Sequence, residues 1–153
     1  MGLRRPLVDA AALLAGFAAL VALAGCTSYT GSKAHQVSEW ASIATVVSND
    51  QLVVQDIAAI RRSVQVNALK DVTSNCAGLV FDSGTAYGNL PTPDNTLTNE
   101  LNVAYVDFTS GGSSCAAVSS IHSAKFAAAL RTIAAGMTAL DKATRLLAAD
   151  GVH

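Results

Sequence analysis

The stretch KFAAALRTIAAGMTALDKATRLLAADG, residues 125–151, decides what kind of fold the chain builds. Phe126, Leu130, Ile133, Met137, Leu140 and Leu147 recur at four- and three-residue steps, broken only by Thr144. At the helical period these positions fall on one stripe, with Lys125, Arg131, Lys142 and Arg145 off it. The spacing predicts a long amphipathic helix over 116–149. Asp150-Gly151 ends it, because glycine enters the left-handed conformation that closes helices without a Cβ clash.

Working upstream, the same rhythm returns three times. Leu97, Leu101, Ala104, Tyr105 and Phe108 form one stripe, which Gly111-Gly112 is expected to stop. Before it, NLPTPDN (89–95) reads as a connection and a helix start. Thr92 serves as cap, Pro93 as first helical residue and Asp94 as the charge that complements the helix dipole. Leu69, Val72, Cys76, Leu79 and Ser83 mark an earlier helix with Cys76 on its buried face; Gly84 and Gly88 predict fraying after Ser83. Earlier still, Trp40, Ile43 and Val47 share one face, and Val53, Ile57, Ile60 and Val64 another. Asp50 falls where the two meet. Ser48 with Gln51 three residues on fits a capping box, so a bend or break is expected at 48–50 and the main helix at 51–67.

No stretch alternates at period two, so no sheet is expected. Four apolar-faced helices on short connections bury their stripes most economically against one another. The expectation is an all-α fold, an antiparallel four-helix bundle over residues 37–153.

The N-terminal segment, residues 1–36, has a different character. Arg4 and Arg5 precede AAALLAGFAALVALA (10–24), and Leu23-Ala24-Gly25-Cys26 follows. A cationic start, an apolar core and small residues before a cut form a secretory signal. The four residues 23–26 match a lipobox, and the chain resembles bacterial lipoproteins in this part. That resemblance implies a diacylglyceryl thioether on Cys26, cleavage in front of it, and acyl chains such as palmitate holding the product to the membrane. Residues 1–25 are then a signal peptide, and 26–36 the lipidated cysteine with a flexible tether. At about 5–6 Å times the square root of residue number, ten such residues reach roughly 17 Å. The alternative is a single-pass membrane anchor. Leu7 to Gly25 is 19 residues long including Asp9, at the short end for a span.

Removing Arg4, Arg5 and Asp9 with the signal leaves eight basic and ten acidic residues, a net of −2. There is no basic block to follow a phosphate backbone, so no nucleic acid partner is expected. Two cysteines remain, Cys76 and Cys115. In an exported domain an even pair is most simply a disulfide. Neither lies in a CxxC motif or beside a metal-completing histidine.

The Cys76, Pro91-Thr92-Pro93-Asp94, Tyr105 with Phe108, and Cys115 series also resembles a loose group of uncharacterised secreted or lipidated helical proteins of actinobacteria. The likeness spans about residues 50–149 and implies architecture but no activity.

Catalysis needs spacings that bring polar groups together. His35 lies in the tether and His153 at the end, where a base is poorly held. His122 lies in the last predicted helix with no carboxylate one turn away. No Gly-x-Ser-x-Gly or Ser-x-x-Lys sequence supplies a nucleophile, and SSCAAVSS (113–120) reads as loop and cap. Glu39 and Glu100 lack the Glu-x-x-His partner of a di-metal bundle, and DSGTAYGN (82–89) lacks a phosphate-loop ending. No catalytic residue, metal or cofactor is therefore expected. Asp56, Asp71, Asp82, Asp107 and Asp141 read as solvated. Asp50, on an apolar stripe, must cap a helix, find Lys or Arg, or bind something.

The reading is a non-enzymatic, lipid-anchored protein on the extracytoplasmic face of the cell membrane that contacts an envelope protein or wall component. The alternative is a carrier or sensor of a small apolar ligand. It would open between the second and third helices near Tyr87, Pro91 and Tyr105, with an apolar pocket of roughly 300 Å³ or more.

Overall fold

The structure is a computed structural model that describes residues 29–153. The signal peptide and Cys26 lie outside the described residues. Five helices, and no strands, make up the described chain: α1 (Lys33–Ile43), α2 (Val46–Gln65), α3 (Leu69–Tyr87), α4 (Asn95–Ala116) and α5 (Ala124–Ala149). Each long helix packs on the next in the chain, α2 on α3, α3 on α4 and α4 on α5, while α1 touches α2 and α5 at one end. Among the described residues, no Cα of α2 comes within 8 Å of a Cα of α5. The array is open on that side.

The stripes read from the sequence form the core. Val53, Ile57 and Ile60 of α2, Val72 and Leu79 of α3, Leu97, Leu101, Ala104 and Phe108 of α4, and Phe126, Ile133, Leu140 and Leu147 of α5 are all buried. Cys76 and Cys115 are bonded with their Cα atoms 5.8 Å apart, which ties the middle of α3 to the C-terminal turn of α4. That separation lies within the ordinary disulfide range.

Helix ends depart from expectation at several points. The break before α2 falls at Ala44-Thr45, with Thr45 in the left-handed region at φ 50°. The capping box expected at Ser48 is helix interior. Asn49 donates from Nδ2 to Ala44 O at 3.1 Å and satisfies a carbonyl freed by the break. Ile43 consequently points to solvent instead of sharing a buried face with Trp40. Helix α1 begins at Lys33 behind the cap Ser32, so residues 33–36 of the span read as tether are helical.

At α4 the cap is Asp94, two residues beyond Thr92. Its Oδ1 accepts from Thr96 N and Leu97 N at 2.7 and 3.3 Å. Thr92 instead accepts from Asp94 N and donates to Asp94 O, which braces the turn in front of the helix. Lys33 pairs with the same Asp94, so one carboxylate closes α4 and ties it to the start of α1.

The glycines mislead most. Helix α3 runs on through Gly84 to Tyr87 without fraying at Ser83. Helix α4 runs through Gly111 and Gly112, and the last helix starts at Ala124 rather than 116. Both α4 glycines are buried contacts between backbones. A Cβ on Gly111 would lie 3.1 Å from Ala129 O and Ile133 N of α5; one on Gly112 would lie 3.0 Å from Cys76 O of α3. Their lack of a side chain lets α4 approach both neighbours at the level of the disulfide. Gly136 does the same from α5, where a Cβ would lie 2.8 Å from the Phe108 ring. At the far end, Gly151 at φ 83° closes α5 as expected, and Val152 N donates back to Leu147 O at 3.0 Å.

Candidate functional site

Because α2 and α5 stand apart, their inner edges line a groove of about 530 Å³. Val47 and Val54 of α2 face Met137, Leu140 and Leu147 of α5, and Val152 closes one end. The α2 wall covers residues 47–55, about 12 Å at 1.5 Å per residue. Val47 and Val54 keep more than a third of their surface exposed, so apolar wall is left uncovered. Polar groups are few: Gln51, Gln55 and Thr144, the carboxylates of Asp50 and Asp141, and His153. Among the described residues, no lysine or arginine lines the groove.

Asp50 is the best-organised group in it. Tyr105, buried on α4, donates its hydroxyl to Asp50 Oδ1 at 2.8 Å. The structure gives Oδ2 no hydrogen-bond donor among the described residues, and that atom is not sealed off. Burial pushes the Asp50 carboxyl up to about 6, against which the Tyr105 hydrogen bond acts. The Tyr105 phenol is raised far above its ordinary value by burial and by the adjoining carboxylate, so it remains a donor. None of the three fates expected for Asp50 names this partner. A phenol 55 positions away, in the stripe of another helix, supplies the hydrogen bond instead.

A second acid pair bridges α2 and α3. Asp56 and Asp82 were expected in solvent, but Asp56 Oδ2 is buried without a partner. Burial, followed by the neighbouring Asp82 carboxyl, raises Asp56 to about 6. Gly78 leaves room beside it, since a Cβ there would come 3.2 Å from Asp56 Oδ1.

The opening expected near Tyr87, Pro91 and Tyr105 is not one site. Pro91 joins a hollow with Tyr29, Trp40 and Asn89, whose carbonyl accepts from Trp40 Nε1 at 3.1 Å. Tyr87 borders another with Val106 and Ser110, and Tyr105 turns inward to Asp50. His35 is exposed on α1, and His122 is exposed in the connection before α5 rather than within a helix. His153 alone of the histidines reaches the groove. The described helices include none long and apolar enough to cross a membrane. No protein family, curated protein or solved structure matches the chain.

Proposed function

We propose that this chain is a lipid-anchored cell-envelope protein whose α2–α5 groove is a binding site, with no catalytic role. The long helices form an antiparallel four-helix bundle left unclosed between its first and last members. Connections of three, seven and seven residues are too short for parallel neighbours, which supports that order. A lipid on Cys26 would enter three residues before Tyr29, which packs against α1. Three residues span at most about 11 Å. The α1 end of the domain, where Val47 and Val152 also lie, would then sit nearest the membrane.

The groove is the observation that carries the reading. A site of that size with apolar walls and a few placed polar groups is the usual form of a small-molecule pocket. It favours the carrier or sensor of an apolar ligand over a purely structural module. The experiment is native mass spectrometry of the mature protein released from membranes, beside a Val54→Trp variant that fills the groove. Retention of a small molecule by the wild type and its loss from the variant are expected. Equal spectra for both proteins would remove the groove from the function. Anchoring is tested separately by intact mass, where residue 26 should carry the acyl modification and Cys26→Ser should leave an unprocessed precursor.

A further inference from the structure

We infer that the α2–α5 groove takes a single-chain amphiphile with a protonated amine head, the chain lying along Val47, Val54, Met137 and Leu147 and the head against Asp50. This rests on the reading of the groove as a ligand site and adds the chemistry of the ligand.

The groove offers about 530 Å³, enough for one flexible chain. Charge selects the head. Among the described residues, the side-chain carboxylates of Asp50 and Asp141 and no lysine or arginine line the groove, so a fatty acid or a phosphate head would meet like charge in a partly dry site. An ammonium meets the opposite. Asp50 is already aimed, since Tyr105 holds Oδ1 and leaves Oδ2 open to a further donor. A carboxylate with one oxygen fixed and the other free suits a charge-assisted hydrogen bond, the stronger kind.

The titratable groups around Asp50 are Tyr105 from α4, Asp141 from α5 and His153 beyond it. Ionised Asp50 attracts an ammonium and protonated Asp50 does not. With Asp50 pushed up to about 6 by burial, amine binding strengthens as pH rises from about 5 to about 7. The amine itself stays protonated throughout that range.

The test uses Met137, the sole methionine of the chain besides Met1, as a reporter in the groove wall. Mature protein carrying [methyl-13C]methionine, in phosphatidylcholine nanodiscs, is titrated with decylamine, decanol and decanoate. The Met137 resonance is assigned through Met137→Leu. Decylamine should shift it saturably, and decanoate should not. Asp50→Asn should weaken decylamine about tenfold, the difference between a charged and a neutral hydrogen bond, and leave decanol unchanged. Each ratio is taken for one probe against two proteins, so partition into the disc cancels. Asp141→Asn should act in the same direction and serves if Asp50→Asn unfolds; His153→Gln removes the imidazole from the groove as a control. Decylamine affinity indifferent to both Asp variants, or decanoate binding as well as decylamine, overturns the amine assignment and leaves the groove reading standing. No shift with any probe overturns both.

Discussion

Asp50 should make its own contribution to how the stability of the domain depends on pH, beside that of Asp56, and Asp50→Asn isolates it. Its carboxyl sits at about 6 in the fold against an ordinary 3.8, chiefly because burial penalises the charged form. Between those values the native state holds the proton more firmly than the unfolded chain does. Stability therefore falls as pH rises through the interval and levels off above about 6. At about 1.36 kcal/mol per pH unit, the full penalty approaches 3 kcal/mol. Asn cannot ionise, yet it keeps an oxygen for the Tyr105 hydroxyl. Urea unfolding followed by circular dichroism at about pH 4 and about pH 7.5 gives the wild-type-to-variant difference at each. Any constant cost of the amide cancels between the two. The variant should gain about 2 kcal/mol relative to wild type on going from the lower pH to the higher. An unchanged difference, or one of opposite sign, would refute the argument that a half-buried carboxylate faces the groove at neutral pH.

Other perturbations probe the remaining contacts. Tyr105→Phe removes the only donor to Asp50 among the described residues and should cost roughly 1.5–3 kcal/mol near neutral pH, less in acid, by the same unfolding assay. Gly111→Ala and Gly112→Ala place a Cβ about 3 Å from the backbones of α5 and α3; overpacking of roughly 1–3 kcal/mol should outweigh the helix-propensity gain of about 1 kcal/mol and lower the melting temperature. A Gly84→Ala control, where a Cβ meets nothing within 4 Å, should raise it. Reducing the Cys76–Cys115 bond, 39 positions apart, should lower stability by about 4 kcal/mol in the loop-entropy account, read from unfolding with and without reductant. Asp94→Ala should cost about 1 kcal/mol through the lost α4 cap. Lys33, which chiefly holds the Asp94 carboxyl below its ordinary value, stabilises above that value, an effect lost as pH falls through the lowered one; Lys33→Ala should act less and fade with added salt.

The stripes were legible because burial on a helix imprints its period on the sequence. Leu97, Leu101, Tyr105 and Phe108 could be placed inside from spacing alone, and the cysteine pair followed from its even count and the expected export. Gly111-Gly112 was not legible, because one residue type serves both to stop a helix and to bring two backbones together. Only the neighbours of α4 decide which. The break at Thr45 is equally contextual: an ordinary residue adopts the left-handed conformation there while Asn49 catches the carbonyl it frees. The groove was invisible for another reason. Periodicity tells which face of a helix is covered, not which two helices fail to meet. The same limit hid the bond between Asp50 and Tyr105, which joins residues assigned to separate stripes.

The covalent link has a mechanical consequence. It joins α3 and α4, the two inner members of the row, and leaves both outer ones uncrosslinked. The domain is thus built like a bound volume, stitched along its spine, whose covers can part by different amounts. Widening the gap between the covers puts no strain on the stitching, so the α3–α4 packing around Gly112 need not loosen with it.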